Sequence, residues 1–156
     1  IYLAPTTKEE YLAMLDWSVE QNEYPVAIKL PGGAVVSDGK EVTKDFSKLN
    51  RYEVTQEGKK VAVIGLGTFY GLGKEAADAM EAKSGTKPTV INPYYITGVD
   101  AELLDSLKKD HDVVITLHNL LPARLLQEDI IIAPPVESGL IAAANEVAVI
   151  AEIIST

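Results

Sequence analysis

The middle of this chain alternates short runs of apolar, often β-branched residues with segments of helical periodicity. The runs span residues 61–66, 89–91 and 113–117, and helical segments at 74–83 and 100–109 separate them. Alternation of strand and helix is typical of a parallel sheet with helices on both faces. We therefore expect an α/β fold, a three-layer α/β/α sandwich whose sheet is mostly parallel. The helical residues expected to face the sheet are Ala76, Ala79, Met80, Leu103, Leu104 and Leu107.

Helix start signals mark two positions. Thr7-Lys8-Glu9-Glu10 has the pattern of a capping box, in which the Thr7 hydroxyl bonds the Glu10 amide and the Glu10 carboxylate reaches back. The helix that follows is expected to run to about Asn22, and Asp100 is expected to cap a later helix. The spacing predicts that the inward stripe of the first helix consists of Tyr11, Leu12, Leu15 and Val19.

Shorter segments flank this first helix. Residues 1–4 read as a short extended entry. Residues 26–30 are almost entirely apolar, which predicts a buried parallel strand that ends at Pro31-Gly32-Gly33. Residues 37–49 are polar and irregular and are expected to form an exposed loop, and residues 52–55 predict a short strand.

The end of the chain predicts a long apolar helix. Residues 138–154 are rich in alanine, and Val149 and Ile150 make the segment apolar nearly all round. Such a helix is buried or lies at an interface. We therefore expect self-association through this helix, with a homodimer as the commonest arrangement. Its predicted stripe is Leu140, Ala143, Val147, Ala151 and Ile154.

Composition excludes several classes of protein. The 156 residues suffice for one ordinary domain, and the formal net charge of -9 disfavours binding to nucleic acid. The absence of cysteine excludes disulfide frameworks and thiolate metal sites, and two histidines leave little for zinc. No apolar run is long enough to span a membrane. We expect an acidic cytoplasmic protein that binds neither membrane nor nucleic acid.

A glycine motif at residues 65–71, GLGTFYG, follows a predicted strand and opens a helix, as in dinucleotide-binding proteins. Its third glycine comes one residue too late, and Phe69 and Tyr70 would crowd a pyrophosphate. Asn92 ends the next strand, where an acidic partner for ribose is expected. The pattern favours a tight strand-to-helix turn over a nucleotide site.

Four polar residues are candidates for chemistry. Lys29 closes a predicted parallel strand, where ligands gather, and could meet a phosphate or a carboxylate. A lysine that extends from a strand end to solvent is the plainer interpretation. His111 and His118 bracket a predicted strand and could carry protons, although ordinary surface or capping histidines are commoner. Glu137 precedes the last helix and is expected to cap it.

Five segments, taken in order, resemble the C-terminal part of the deoxyxylulose-phosphate synthase family, which belongs to the transketolase class of thiamine-diphosphate enzymes. The residues that carry the resemblance cover 1–117. They are YLAPT with EEYLAML at 2–15, PVAIKLPGG at 25–33, the strand and glycine turn at 61–67, INPYYITGVD at 91–100 and HDVVITL at 111–117.

The chain also departs from the family pattern. Lys29 and Gly32 replace two arginines, and Tyr94 stands where the family usually has arginine. After Leu117 the family has an acidic turn and then a glycine pair, whereas this chain continues with His118. A similar stretch, VESG, arrives about twenty residues late, at 136–139.

The resemblance implies a part of an enzyme and not a self-sufficient catalyst. In the family, thiamine diphosphate and magnesium are held by the first two domains, and their Gly-Asp-Gly motif has no counterpart here. The chain itself is therefore expected to bind no cofactor. Its implied partners are the remaining domains of the same enzyme, in a homodimer, and Lys29 is the one residue expected near the substrate phosphate.

Residues 1–6 are expected to be a remnant of the preceding pyrimidine-binding domain or a linker, and residues 7–156 a single transketolase C-terminal-like domain. Two alternatives stay open: a free-standing interaction module that docks through its last helix, or the equivalent domain of a transketolase or of a 2-oxo-acid dehydrogenase β subunit.

Overall fold

The computed structural model describes residues 1–30, 35–118 and 148–153. Its main sheet has five strands in the order β3-β5-β4-β6-β7. The three central strands are parallel, and β3 and β7 pair antiparallel at the two edges. The predicted α/β class with a mostly parallel sheet is therefore confirmed. The strands are β3 (Glu53–Gln56), β4 (Lys60–Gly65), β5 (Thr89–Asn92), β6 (His111–His118) and β7 (Ala148–Ile153).

Two helices cover opposite faces of this sheet. Helix α2 (Phe69–Ser84) buries Ala77 against a cluster that contains Val63, and helix α3 (Ala101–Leu107) buries Leu107 against a cluster that contains Ala62. Neighbouring residues of a strand point to opposite faces, so Ala62 and Val63 place the two helices on opposite sides. The three predicted layers are present.

Helix α2 begins at Phe69, five residues before the predicted start at residue 74. Gly71 and Gly73 lie inside its first turns. Gly73 is buried, and a Cβ there would lie 3.2 Å from Val63 and 3.4 Å from Leu117, so a glycine lets the helix approach the sheet closely. The inward residue at the helix centre is Ala77, whereas Ala79, predicted to face the sheet, is exposed.

Helix α3 follows its prediction closely. The side chain of Asp100 accepts a hydrogen bond from the backbone of Leu103, 3.1 Å away, as the N-cap prediction requires. Leu107 is buried, and Leu103 and Leu104 pack against the same cluster. The helix ends at Leu107, two residues earlier than expected.

The N-terminal residues form a second, smaller layer beside the main sheet. Strands β1 (Tyr2–Leu3) and β2 (Ala27–Ile28) pair in parallel, and helix α1 (Lys8–Glu20) connects them. The backbone around β1 also bonds to the segment after β5: Ala4 N donates to Tyr94 O at 2.7 Å, and Ile96 N donates to Tyr2 O at 2.7 Å. The domain boundary expected at residue 6 stays a prediction.

The capping box of α1 forms, with one change. Thr7 Oγ1 accepts from Glu10 N at 3.2 Å, as predicted, and the Glu10 carboxylate accepts from Thr6 N at 2.7 Å instead of Thr7 N. The inward stripe of the helix was predicted wrongly, because Leu12, Leu15 and Val19 are exposed, Val19 by 77%.

The buried face of α1 contains Ala13 and Met14, with Trp17 packed at its edge. The aromatic partner on that side is Phe46, whose ring meets Trp17 edge-on at a centroid distance of 5.9 Å. Phe46, a residue distant in the sequence, packs on this face of the helix and not on the predicted stripe.

The strand predicted at 26–30 and the loop predicted at 37–49 both need correction. The strand is parallel, as expected, but only Ala27–Ile28 belong to it, and both residues keep contact with solvent because the strand lies outside the main sheet. Most of the loop is exposed as predicted. Phe46 is the exception, since it is only 2% exposed and fills the core beneath α1. The turn predicted at 31–33 lies outside the described residues.

The helix predicted at 138–154 is wrong for its last part. Residues Ala148–Ile153 form strand β7, which runs antiparallel to β6 with Ala151 opposite Ile115. Val149, Ile150 and Ile153 are β-branched and pair along the open edge of β6, where tertiary context outweighs the helical spacing. Residues 138–147 and Glu137 lie outside the described residues. Residues 148–153 therefore do not belong to the helix that was expected to form the dimer.

Candidate functional site

The carboxyl ends of the three parallel strands meet at one edge of the sheet, at Gly65, Asn92 and His118. The connection after β4 leaves through α2 on one face, and the connection after its neighbour β5 leaves through α3 on the other. In open α/β sheets, ligands bind in the crevice outside the carboxyl ends of the strands, at the point where the strand order reverses. The chain passes from β4 to β5 on one side and then to β6 on the other, so this point lies at the carboxyl end of β4.

The glycine motif forms the wall of this crevice. Gly67 has a φ of 57°, a left-handed conformation that favours glycine, and a Cβ on Gly65 would lie 2.6 Å from Tyr70 Cα. The chain has to turn here within three residues, from the end of β4 to the start of α2. This confirms the interpretation of the motif as a tight turn.

A buried hydrogen-bond network joins α1 to the end of β5. Glu10 is 6% exposed, and its carboxylate accepts from Asn92 Nδ2 at 2.9 Å and from Thr6 N. Asn92 Oδ1 in turn accepts from Tyr94 N at 3.2 Å. Burial raises the pKa of Glu10, and the nearby charge of Glu53 raises it further, against the lowering effect of its hydrogen bonds.

Tyr94 is held in an unusual conformation beside this network. Its φ is 58°, which is uncommon for a bulky residue, and its side chain is buried. The phenol donates a short hydrogen bond to the carboxylate of Glu53, and the ring meets Phe46 edge-on at 5.9 Å. Burial and the bond to Glu53 raise the pKa of Tyr94 strongly, so the phenol remains protonated. Strain of this kind persists where surrounding contacts over-determine it.

These residues line a groove of about 860 Å³ that opens between α1, α2, β3 and the segment 35–43. Tyr70 and Lys74 extend from the first turns of α2 along one side. Tyr70 donates from its hydroxyl to Thr55 Oγ1 at 2.8 Å and so ties α2 to β3. Sequence reasoning missed this groove, because it placed Glu10 in a helix cap and treated Asn92 only as a missing acid. The start of α1 and the end of β5 were both recognised, but no local pattern shows that Glu10 and Asn92 are in contact.

Two of the sequence candidates, Lys29 and His118, each lie at the carboxyl end of a strand, in the small sheet and in the main sheet respectively. Lys29 follows β2, and its backbone N–H donates to Leu3 O at 2.8 Å. His118 ends β6. Burial lowers the pKa of His118, and the positive charge of Lys29 lowers it further.

His111 lies at the opposite end of β6 and has a structural role. Its Nδ1 donates to neighbouring oxygens, with Leu107 O at 3.2 Å and Asp110 Oδ1 at 2.9 Å, and its Nε2 lies 2.7 Å from Thr89 Oγ1. The side chain is buried by these contacts. His111 therefore fastens the amino ends of β5 and β6 and does not share a site with His118.

Magnesium takes oxygen ligands such as carboxylates. Across residues 1–30, 35–118 and 148–153, no group of three or more His, Cys, Asp or Glu side chains is arranged to hold a metal ion. In the same part of the chain, no helix has the length and apolar character needed to cross a bilayer.

The parallel sheet, the flanking helices and the sequence together define a class of protein. Residues 50–123 match the model of the transketolase C-terminal domain family. The chain carries a transketolase C-terminal domain, with the fold of that family.

The relatives that match this chain include synthases of one kind. The chain is 31% identical over 117 residues to a 1-deoxy-D-xylulose-5-phosphate synthase of Clostridium botulinum, strain Alaska E43, with 75% of this chain and 18% of that synthase aligned. A synthase of Vibrio campbellii is 29% identical over 150 residues, covering 90% of this chain and 23% of the relative. The chain is a distant homologue of the C-terminal region of these synthases and spans about a fifth of their length.

One solved structure is also similar to this chain. It is described as a split gene transketolase, an inactive beta4 tetramer, and it superposes with a TM-score of 0.60 at 26% identity. The match covers 74% of this chain and 37% of that one.

Proposed function

We propose that this chain is the C-terminal structural domain of a thiamine-diphosphate-dependent transferase of the 1-deoxy-D-xylulose-5-phosphate synthase type. The alignment over 117 residues to such a synthase, together with a transketolase C-terminal domain match, is the observation that carries the proposal. The reaction of the whole enzyme would be the condensation of pyruvate, after loss of carbon dioxide, with glyceraldehyde 3-phosphate.

Within that enzyme the chain supplies structure and one border of the substrate entrance. Thiamine diphosphate and magnesium belong to the remaining domains, which are the partners of this one in a cytoplasmic homodimer. Lys29 follows the carboxyl end of strand β2. It is the residue of this chain that we assign to contact with the substrate phosphate. A single ammonium binds phosphate as a point charge, more weakly than the forked guanidinium of arginine.

A domain exchange tests the proposal. The last domain of the Clostridium botulinum synthase is replaced by this chain, and formation of deoxyxylulose phosphate from the two substrates is measured. The truncated synthase is the negative control. Activity in the exchanged enzyme and none in the truncated one supports the proposal. A folded, dimeric exchanged enzyme without activity contradicts it, and sedimentation and circular dichroism establish folding and assembly independently.

The likeness to a split-gene transketolase favours a second candidate, in which a subunit that contains this domain works as a separate chain. The same experiment distinguishes the two when the chain is also added in trans to the truncated synthase and to a transketolase that lacks its last domain. Rescue of the transketolase alone favours the second candidate. Rescue of the synthase alone favours the first.

A further inference from the structure

Strand β3 forms one edge of the main sheet and pairs with β5 on one side. The pairing is antiparallel, with Glu53 opposite Asn92. A strand directs its backbone N–H and C=O groups to both of its sides, so part of them faces away from β5. In the described part of the chain, no backbone hydrogen bond joins Glu53–Gln56 to a residue outside β5. The outer edge of β3 is therefore a template on which a further strand can pair.

This edge borders the groove of about 860 Å³ that contains Glu10 and Asn92. All four residues of β3 line the groove, and residues of the segment 35–43 line it as well. The volume lies within the ordinary range of binding pockets, about 300–1,000 Å³. Space for an added segment is thus present beside the unpaired edge.

The groove is acidic. Its lining contains four carboxylates and two ammonium groups, which belong to Glu10, Asp38, Glu41, Glu53, Lys40 and Lys74. Lys40 already pairs with Asp38 at 2.9 Å. Glu53 accepts a hydrogen bond from the neutral phenol of Tyr94, which leaves the charge of its carboxylate uncompensated. Complementary charge therefore favours a basic partner and opposes an acidic one.

Side chains of β3 alternate between the groove and the opposite face of the sheet. Glu53 contacts Tyr94, and Thr55 accepts from the hydroxyl of Tyr70, so both residues of β3 point to the groove side. Val54 packs against the cluster beneath α3 on the other face. On an added strand, a lysine or arginine opposite Glu53 forms a cross-strand ion pair, and a β-branched residue next to it lies on the same face as Val54.

The edge of β3 is guarded against indiscriminate pairing. The register with β5 shifts between Val54 and Gln56, and such bulges, like charges, are devices that restrict pairing at sheet edges. The negative charge of Glu53 repels acidic segments. An edge guarded in this way accepts a strand by its sequence and not by backbone pairing alone.

We propose that the outer edge of β3 binds an extended basic segment of a partner protein by strand addition, with a lysine or arginine opposite Glu53. The backbone of Glu53–Gln56 supplies the hydrogen bonds, and the alternating side chains supply the selection. This surface is independent of the proposed transferase function, since it uses neither Lys29 nor the cofactor.

A basic peptide tests the proposal on the full chain by NMR. The probe is a heptapeptide, TKVKVKT, capped at both ends, in which lysines occupy one face of an extended strand. The hydrogen exchange of the backbone amides of Glu53–Gln56 is measured with and without the peptide. We expect the exchange of the outward-facing amides to slow about tenfold. The amides of β4, at the centre of the sheet, are the internal reference and are expected not to change.

Two further peptides and two variants separate backbone pairing from charge. TEVEVET reverses the charge and is expected to bind at least about tenfold more weakly than TKVKVKT. TKVKVKT that is N-methylated at its five central residues keeps the charge but lacks the donors, and no binding is expected. Glu53→Gln should weaken the binding of TKVKVKT roughly threefold, the scale of one exposed ion pair. Glu20→Gln removes an exposed carboxylate outside the groove and should leave the affinity unchanged.

Several outcomes would overturn the proposal. They are an unchanged exchange of the β3 amides with TKVKVKT, equal binding of the N-methylated peptide, and equal binding of TEVEVET. Amides of Glu53–Gln56 that are already protected in the chain alone would show that another segment of the chain covers the edge. Protection that grows with protein concentration would assign the edge to a second copy, and either result excludes the basic partner.

Discussion

The side-chain amide of Asn92 donates a hydrogen bond to the buried carboxylate of Glu10, 2.9 Å away, across 82 positions of the sequence. This bond fixes the N-terminal end of α1 to the carboxyl end of a central strand. It also places a carboxylate where water is largely excluded.

The burial of Glu10 predicts a specific pH dependence of stability. Its pKa in the folded protein is raised above the ordinary value of 4.5, so the folded state holds more protons than the unfolded state between those two values. The free energy of unfolding contributed by Glu10 therefore falls as the pH rises through this window. Urea denaturation between pH 4.5 and 7.5 measures this contribution. At each pH it is the unfolding free energy of the wild type minus that of Glu10→Gln.

Glu20→Gln is the matched control for this experiment, because it removes an exposed carboxylate at the other end of the same helix. It controls for the loss of one negative charge from the helix. A wild-type minus Glu10→Gln difference that rises with pH would contradict the assigned direction.

Asp100 is expected to be a strong determinant of stability. Its buried carboxylate accepts from Leu103 N and from Tyr52 N, both at 3.1 Å, and pairs with Arg51 at 3.0 Å. Loss of the cap costs about 1 kcal/mol and an unsatisfied buried N–H another 1–3 kcal/mol. Asp100→Ala should lower the unfolding free energy by about 2–4 kcal/mol. Asp105→Ala, which removes an exposed pair with Lys108, should change it by less than about 0.5 kcal/mol.

The glycines of the motif are expected to respond oppositely to alanine. A Cβ on Gly65 meets the backbone of Tyr70, so Gly65→Ala should destabilise the protein by about 1–3 kcal/mol. A Cβ on Gly71, inside α2, meets nothing within 4 Å, and Gly71→Ala should stabilise by about 0.5–1 kcal/mol. Thermal denaturation of both variants decides the point, and equal effects would show that the turn is less constrained than its geometry indicates.

Removal of the Lys29 charge should discriminate between the two substrates of the exchanged enzyme. Lys29→Ala is expected to raise the KM for glyceraldehyde 3-phosphate roughly tenfold, since a hydrogen bond to a charged group contributes about 1.5 kcal/mol. The KM for pyruvate should change little. An equal effect on both substrates would assign Lys29 to the structure of the domain.

The isolated chain is expected not to bind thiamine diphosphate, because its described residues offer no cluster of ligands for magnesium. Titration calorimetry with cofactor and magnesium should give only the heat of dilution. A stoichiometric isotherm in the micromolar range would contradict this prediction.

Local sequence patterns predicted the central sheet well, because each strand and helix there follows its own periodicity and caps. Asp100 and the strands around it are examples. The patterns failed where distant partners decided the outcome. The side chain of Phe46 selected which face of α1 is buried, and the open edge of β6 made a strand of residues 148–153. Of the candidate site, Glu10 and Asn92 were recognised singly, as part of a helix cap and as a strand end, but their hydrogen bond joins residues 82 positions apart.

The position of β1 has a consequence for the order of events during synthesis. The first strand is held on one side by β2 and on the other by the backbone of Tyr94 and Ile96. A ribosome must therefore complete more than ninety residues before Tyr2 and Ala4 can bond to the segment after β5. Until then Leu3 and the inner face of α1 remain open to water and to other chains. Closing so long a loop is slow, since entropy opposes it before any contact rewards it, and the N-terminal layer is expected to form only after β5 and the segment behind it have been made.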